Sequence, residues 1–200
     1  MINRYGRANL KQNSILYATD NPITALDEMR PKVGQMITIS TWKRKTDYDV
    51  TVASIFKNSP TNNLVSNGMT LRAQIEYHKI KNQHNDNLLK LIEDITQFIC
   101  DCFSKEVNDD NHFDYFLSSH YANQIFTVLQ NGEVDAIFYP SVRQSLELTN
   151  IAMKPEVFKN NYELEYVEEN IITGDLTTNS GWTMIGSGES STFNNGTIVW

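Results

Sequence analysis

The sequence predicts an α+β fold with a mixed or antiparallel β-sheet at its core, in a single domain that spans residues 1–200. Short β-rich runs occur near the start and in the last third of the chain, and a mainly helical section, residues 57–131, separates them. Strands and helices do not alternate one by one, as a doubly wound parallel sheet requires. The 200 residues are 40% hydrophobic and 20% charged, so the chain can bury one sizeable core.

The first strand and the first helix are predicted from adjacent segments. Ser14–Thr19 is short, apolar and rich in strand-forming residues. Asp20-Asn21-Pro22 then combines an N-cap with a proline suited to the first helical turn. Because Pro31 restricts the residue before it, the helix must end near Arg30. We expect this helix to turn three apolar side chains toward the core, namely Ala25, Leu26 and Met29.

Two strands and two helices follow. Gly34–Trp42 and Tyr48–Phe56 are rich in β-forming residues, and Lys57–Gly68 has the Asn, Ser, Thr and Pro content of a loop. The best-supported helix is Asp86–Lys105, where apolar residues recur at helical spacing. A further helix is expected over Asp114–Leu129, with a C-cap at Asn131-Gly132. Its inward face is expected to consist of Leu117, Tyr121, Ile125, Val128 and Leu129.

The last third of the chain is predicted to be mainly strands. Val134–Tyr139, Leu148–Met153 and Tyr162–Ile172 are the three expected strands, and the last alternates apolar with acidic residues. Residues 173–195 are rich in Gly, Ser and Thr, so we expect an irregular excursion, with a flexible loop at residues 186–191. A terminal strand is expected over Thr197–Trp200.

Charge and composition exclude several classes of function. The formal net charge of −7 provides no basic face for a nucleic-acid backbone, so we expect no direct nucleic-acid binding. No apolar run approaches the roughly 20 residues that span a bilayer, and the N-terminus lacks the apolar stretch of a signal peptide. Cys100 and Cys102 lie two apart in a predicted helix and point to different faces, so they are poorly placed for a mutual disulfide. These features predict a cytoplasmic protein that does not bind membranes.

The four histidines do not predict a metal site. They do not have the helical H-x-x-x-H or H-E-x-x-H spacing, and there is no paired-cysteine zinc spacing. Surface or packing roles are favoured for all four: His78, His84, His112 and His120. We therefore expect no bound metal.

Three separated segments carry residue types suited to chemistry. Arg4–Asn9 places two arginines, a glycine and an asparagine just before the first strand, and its alternative interpretation is a solvated basic turn. Glu28 lies close to the predicted buried stripe of the first helix, where an unpaired carboxylate is costly, unless it simply reaches solvent. Ser141 follows a buried strand in Asp135–Arg143, at a place where loops carry ligand groups, or where an ordinary turn would fit as well.

Taken in order, these segments resemble the RES domain, a family named for its Arg, Glu and Ser. The motifs are G-R-x-N at Gly6–Asn9, L-Y-x-[ST] at Leu16–Thr19 followed by A-L-x-E at Ala25–Glu28, and Y-P-S-x-R at Tyr139–Arg143 with Asn150-Ile151-Ala152 downstream. The resemblance covers residues 4–155, and three separated motifs occur in the right order.

The resemblance implies an ADP-ribosyltransferase-like fold and a site that binds NAD⁺ as substrate. Cleavage of the nicotinamide bond passes through an oxocarbenium-like ribose, which a carboxylate such as Glu28 can stabilise. Arg7 suits the pyrophosphate because its guanidinium is always charged and binds in a bidentate fork. Tyr17 would stack on or orient the nicotinamide, and Ser141 would hydrogen-bond the substrate. The expected catalytic residues are Glu28, Arg7 and Ser141, and the expected NAD⁺-binding residues are Arg4, Arg7, Asn9, Tyr17 and Ser141.

The function expected from this resemblance is cleavage of the nicotinamide–ribose bond of NAD⁺, with water or phosphate as the acceptor. The family includes toxins of toxin–antitoxin pairs, so the chain is expected to be such a toxin, with an Xre-type antitoxin as its partner. Two alternatives stay open. One is ADP-ribosyl transfer to a protein, and the other is an inactive RES-like module that only binds a partner.

Overall fold

The computed structural model describes residues 3–45, 47–56, 68–83, 86–108, 111–142, 149–177, 181–194 and 196–200. Its chain divides into two compact units, each made of two separate stretches of sequence. The first unit comprises Met1–Asp20 and Asp49–Pro155, and the second comprises Asn21–Tyr48 and Glu156–Trp200.

The first unit is built on a mixed four-stranded sheet. Its strands are β1 (Leu16–Thr19), β3 (Val52–Ser54), β4 (Ala136–Pro140) and β5 (Thr149–Met153), and they lie in the order β1-β5-β4-β3. β5 runs antiparallel to both of its neighbours, and β3 runs parallel to β4. Consequently β1, β3 and β4 all end at the same edge of the sheet.

Helices cover one face of this sheet. They are α2 (Gly68–Lys81), α3 (Asp86–Ser104) and α4 (Phe116–Thr127), with a 3₁₀ turn at His112–Tyr115 before α4 and another at Leu129–Gly132 after it. The core between the helices and the sheet contains buried side chains from β4, β5, α3 and α4 and from the residue after β3, chiefly Ile55, Cys100, Phe103, Ala122, Phe126, Ile137, Tyr139 and Ala152. Ala8, from the N-terminal loop, belongs to the same cluster. Both cysteines are free, as expected.

The expected inward face of α4 is correct in part, since Tyr121 and Ile125 pack against the core, but the other three expected residues are exposed. Leu117 and Val128 are 47% and 64% exposed, and Leu129 is exposed as well. Four other residues are buried instead: Ser118, Ser119, Ala122 and Phe126. Two serines can occupy this face because each hydroxyl donates to a carbonyl three residues earlier, 3.1 Å and 2.9 Å away. The apolar spacing therefore indicated the helix but only part of its buried side.

The second unit begins with α1 (Pro22–Met29), and its ends follow the predicted signals. The side chain of Asn21 accepts a hydrogen bond from the backbone N–H of Ile23 at 2.8 Å, and Arg30 closes the helix in the left-handed conformation. Its buried face is only partly as expected, since Leu26 is buried but Met29 is 79% exposed. The remaining buried residues of α1 are polar, Thr24 and Asp27.

The second unit also contains a three-stranded antiparallel sheet. Its strands are β2 (Met36–Arg44), β6 (Tyr162–Gly174) and β7 (Thr183–Ser190), and they lie in the order β2-β6-β7. The short helix α5 (Pro155–Asn161) leads into β6. A two-stranded antiparallel pair, β8 (Phe193–Asn194) and β9 (Thr197–Ile198), follows β7.

The expected irregular excursion at residues 173–195 is wrong, because β7 pairs with β6 along most of its length. Ser and Gly are weak strand formers, so the composition of this segment did not indicate a strand that is stabilised by pairing with its neighbour. Tyr166 donates a hydrogen bond to Glu189 at 2.6 Å across the two strands. At Gly188 a Cβ would lie 3.1 Å from Cε3 of Trp200, so the lack of a side chain there lets the Trp200 ring pack close to the strand.

The α+β class and the mixed and antiparallel sheets are thereby confirmed. The predicted strands at 14–19, 34–42, 134–139, 148–153 and 162–172 and the helices at 86–105 and 114–129 are present within a few residues. The predicted strand at 48–56 shrinks to β3, and the expected loop at 57–67 lies outside the described residues. In the stretches that the structure describes, no helix combines the length and apolar character needed to span a membrane.

Candidate functional site

The hydroxyl of Tyr17 joins the first strand to the N-terminal loop. It accepts a hydrogen bond from the backbone N–H of Ala8 and donates one to Oδ1 of Asn9, each at 2.8 Å. Tyr17 lies in the middle of β1, where it is paired with Ala152 of β5. Two of the motifs that carry the RES resemblance, G-R-x-N and L-Y-x-[ST], are therefore bonded to each other.

Asn9 is buried and fixes the shape of this loop. Its side-chain Nδ2 donates to the backbone carbonyls of Arg4, at 3.4 Å, and Leu10, at 3.3 Å. The backbone carbonyl of Asn9 accepts a hydrogen bond from the N–H of Gly6 at 3.1 Å. The loop also passes close to itself at Gly6, where a Cβ would lie 2.1 Å from Oδ1 of Asn9 and 3.0 Å from the hydroxyl oxygen of Tyr17. Only glycine fits here without displacing the asparagine.

Tyr17 combines a buried hydroxyl with an accessible ring. Burial raises the pKa of Tyr17 well above its ordinary range, and the bond from Ala8 and the charge of Arg7 oppose this only in part. The neutral phenol is the form that both hydrogen bonds use, since the hydroxyl must still donate to Asn9. The residue nevertheless keeps 42% of its surface exposed, so the ring is available for contact with a ligand.

Arg7 lies against the end of helix α3. Its Nη1 donates to the backbone carbonyls of Phe103 and of Lys105, the second at 3.1 Å, and its guanidinium carbon lies 5.0 Å from the centre of the Tyr115 ring. Carbonyls at a helix C-terminus have no partner within the helix and carry partial negative charge, so an arginine is stabilising there. Within the described part of the chain, Arg7 forms no ion pair and its Nη2 and Nε form no hydrogen bond.

Ser141 lies at the sheet edge where β1, β3 and β4 end. It follows directly on Pro140, the last residue of β4, which is paired with Thr149. On the opposite side of β5, Thr19 ends β1 and its hydroxyl donates to the carbonyl of Thr149 at 3.1 Å. Ser141 is fully buried, so its hydroxyl belongs to the interior of this edge.

Glu28 belongs to the second unit, where it is exposed near the end of α1. The buried carboxylate of this helix is its neighbour Asp27, which accepts a hydrogen bond from Nε1 of Trp182. The expectation that Glu28 lies close to the buried stripe of this helix is therefore wrong, since Glu28 is exposed and the buried carboxylate is that of Asp27.

The structure thus brings some of the expected site residues together. Arg4, Arg7 and Asn9 lie in one loop, and Tyr17 of β1 is hydrogen-bonded to that loop. The side chain of Arg4 is exposed and its backbone carbonyl accepts from Asn9. Ser141 lies on the same sheet as Tyr17, and Glu28 is in the other unit.

The contact of Arg7 with Tyr115 was not anticipated from the sequence. Tyr115 ends the 3₁₀ turn before α4 and carries no motif that distinguishes it from other tyrosines. Next to it, the ring of Tyr5 lies within 6.0 Å of three other aromatic rings, those of His112, Phe113 and Phe116. The high density of ring-bearing residues over 112–116, four of the five, is the signal that could have indicated this cluster.

The described residues contain no group of three or more His, Cys, Asp or Glu side chains arranged to hold a metal ion. Compared with protein-family models, with curated proteins and with solved structures, the chain has no match. The resemblance to the RES domain therefore rests on the quoted motifs alone.

Proposed function

We propose that the chain is an ADP-ribosyltransferase-like enzyme of the RES type that binds NAD⁺ and cleaves its nicotinamide–ribose bond. The observation that carries this proposal is the pair of hydrogen bonds at the Tyr17 hydroxyl, which accepts from the backbone N–H of Ala8 and donates to Oδ1 of Asn9. They tie the loop that carries Arg7 to Tyr17, a strand residue that keeps 42% of its surface exposed. An arginine and an accessible aromatic residue held by the same loop suit a ligand that carries both a pyrophosphate and a flat heterocycle.

Arg7 is proposed to bind the pyrophosphate. Its Nη1 donates to two carbonyls at the end of α3, which hold the guanidinium in place, while Nη2 and Nε form no hydrogen bond within the described part of the chain. An arginine fixed in this way loses little side-chain entropy when an anion binds. The overall charge of −7 does not oppose this role, since two phosphates need only local donors.

Glu28 is proposed to stabilise the ribose as it becomes positively charged. The bond between the ribose C1″ and the nicotinamide nitrogen breaks, and its electron pair leaves with neutral nicotinamide. A water molecule then adds to C1″ and loses one proton, which gives ADP-ribose, or phosphate adds and gives the 1″-phosphate. A carboxylate favours the first step electrostatically and through hydrogen bonds to the ribose hydroxyls. Ser141, which is fully buried at the sheet edge, is proposed to hold the end of β4 in position beside the substrate.

The resemblance also supports a cytoplasmic toxin that depletes NAD⁺ and is neutralised by an Xre-type antitoxin. Transfer of ADP-ribose to a protein is the alternative within the same chemistry. It differs only in which nucleophile reaches C1″.

An inactive module that only binds a partner is the second candidate, and one observation favours it. Arg7 already has a structural role, because it donates to carbonyls at the C-terminus of α3 and contacts the ring of Tyr115. An arginine kept for that reason alone would need no substrate. The two candidates differ in whether NAD⁺ is consumed.

The test is incubation of the purified full chain with NAD⁺, followed by chromatographic separation of the products. Release of nicotinamide together with ADP-ribose or its 1″-phosphate is the expected result and identifies the acceptor. Nicotinamide release only when a protein acceptor is added would favour ADP-ribosyl transfer. No release under either condition would overturn the enzyme proposal in favour of the binding module.

A further inference from the structure

The outer edge of β2 faces away from β6. β2 lies at one end of the three-stranded sheet, and among the described residues β6 is its only strand neighbour. The stretch Met36–Thr41 contains no charged residue, no proline and no glycine, and the bulge of β2 comes only after it, between Thr41 and Trp42. Proteins usually protect an edge strand by charges, proline or a bulge. This stretch has none of them, so it is suited to pairing with a further strand.

The hydrogen bonds to β6 determine which backbone groups of β2 point to the outer edge. The N–H of Ile172 donates to the carbonyl of Gln35 at 3.0 Å, and β2 pairs with β6 antiparallel without a register shift before Thr41. Hydrogen-bonded residues alternate along an antiparallel ladder, so Ile37 and Ile39 also bond to β6. The backbone N–H and C=O groups that point to the outer edge are those of the residues between, Met36, Thr38 and Ser40.

This edge is accessible, and its two faces differ. Met36 is 56% exposed, and Thr38 and Ser40 are exposed as well. Within the described part of the chain, no loop or side chain is hydrogen-bonded to the backbone of these three residues. Ile37 and Ile39 lie on the other face and are half-buried. A strand added at this edge would therefore meet free backbone groups and extend an apolar face.

We propose that β2 pairs with β2 of a second copy of this chain, antiparallel and about a twofold axis at Thr38. In this register Thr38 faces Thr38 of the second copy and Met36 faces Ser40, so each outward N–H meets an outward carbonyl. Ile37 of one copy then lies beside Ile39 of the other on the half-buried face. The result is one continuous sheet across an isologous interface. The proposal does not depend on NAD⁺ cleavage, because β2 carries none of the proposed site residues.

The charged residues near the paired stretch lie at its ends or one strand away from it. Lys43 and Arg44 follow the bulge and Lys32 precedes the strand, so each end of the pairing brings Lys32 of one copy toward Arg44 of the other. Both side chains are exposed, where salt screens their repulsion. Glu168 and Glu169 lie opposite the stretch on β6, and in the dimer both β2 strands, about 14 Å, separate them from their counterparts.

A second copy suits this edge better than an unrelated strand does. The twofold register provides an uncharged residue at every paired position, and it joins the half-buried isoleucines of the two copies. An unrelated strand has no such match to Met36–Ser40 built into its sequence. Because only a short stretch pairs, we expect a reversible dimer with a dissociation constant in the micromolar range.

The experiment measures the molar mass of the full chain by light scattering from about 1 to 200 μM. The wild type is expected to change from the monomer mass toward the dimer mass. Thr38→Pro removes an outward N–H and no bond to β6, so the sheet should remain while the dimer weakens at least tenfold. Thr38→Val is the matched control, since it keeps both the N–H and the branched shape, and it should dimerise as the wild type does.

Amide hydrogen exchange gives a second, independent measurement. The Thr38 and Ser40 amides should become protected as the concentration rises, whereas the Ile39 amide, which bonds to β6, should be protected throughout. A wild type that stays monomeric, or a dimer that Thr38→Pro leaves intact, would overturn the proposal. Protection of the Thr38 amide only after a valine–threonine strand peptide is added would replace the second copy by a partner strand and overturn it as well. If Thr38→Pro fails to fold by circular dichroism, the amide exchange decides alone.

Discussion

The hydroxyl of Tyr17 donates a hydrogen bond to Oδ1 of Asn9 at 2.8 Å, and this bond ties the middle of the first strand to the loop that carries Arg7. Asn9 is buried and bonds to the loop on both sides, at Arg4 and at Leu10. The position of the loop that carries Arg7 therefore depends on the hydroxyl group of Tyr17 in β1.

Tyr17→Phe should destabilise the protein by about 1–3 kcal/mol, because the N–H of Ala8 and the side chain of Asn9 both lose a partner in a buried place. Loss of the loop's shape should also raise the KM for NAD⁺ by about tenfold, which corresponds to roughly 1.4 kcal/mol. Urea unfolding and initial rates measure the two effects. Tyr5→Phe is the matched control, since no hydrogen bond of the Tyr5 hydroxyl is present among the described residues. Equal losses in both variants would contradict the role given to Tyr17.

Stability should fall in alkaline solution, and Tyr17 should account for part of that fall. Its pKa is raised in the folded protein, so the folded state keeps a proton that the unfolded state loses above about pH 10. The contribution is fully present below that pH and is lost as the pH rises further. Urea unfolding of the wild type and of Tyr17→Phe across this range should give converging free energies of unfolding. Parallel pH profiles of the two proteins would show that burial of Tyr17 has no part in the loss.

Gly6→Ala should be costly although it adds only one methyl group. The new Cβ would lie 2.1 Å from Oδ1 of Asn9, and Asn9 is held by its other bonds. We expect a loss of about 1–3 kcal/mol and a higher KM for NAD⁺, as for overpacking elsewhere. At Gly186, the control position, the nearest atom to a new Cβ is 3.8 Å away, so Gly186→Ala should change little. A Gly6→Ala variant as stable as the control would mean that the loop adapts freely.

Arg7→Lys should lower both stability and NAD⁺ affinity. A lysine ammonium lacks the planar fork, so it cannot bond the end of α3 and a pyrophosphate at the same time. We expect a loss of about 1–2 kcal/mol in unfolding and weaker binding of NAD⁺ in calorimetry. Arg4→Lys is the companion variant, and its exposed side chain predicts no change in stability. If Arg7→Lys loses stability but binds NAD⁺ as the wild type does, Arg7 is structural only.

Much of the fold could be predicted from the sequence because its elements carry local signals. The N-cap at Asn21, the alternation in β6 and the helical spacing in α3 each depend on residues close in sequence. β7 could not be predicted in this way, because its pairing with β6 stabilises residues that have low strand propensity. Part of the buried side of α4 also required the structure, since serines satisfied by nearby carbonyls fill it.

The site was predictable in part for the same reason. The motif residues Arg7, Asn9 and Tyr17 lie close in sequence, and the structure joins them. The contacts of Arg7 with Phe103 and Tyr115 depend on how distant segments pack, and no local pattern encodes that packing. Which carboxylate of α1 is buried also depends on tertiary contacts. Asp27 is buried because Trp182 donates a hydrogen bond to it, whereas Glu28 is exposed.

The central claim is tested most directly by the rate of nicotinamide release from NAD⁺ by Glu28→Gln beside the wild type. The amide keeps the size of the side chain but removes the charge that stabilises the ribose cation, so the rate should fall by about a hundredfold or more. Met29→Gln, at the adjacent exposed position, should retain the wild-type rate, and both variants should unfold at similar urea concentrations. Equal rates for Glu28→Gln and the wild type would contradict the proposed reaction mechanism.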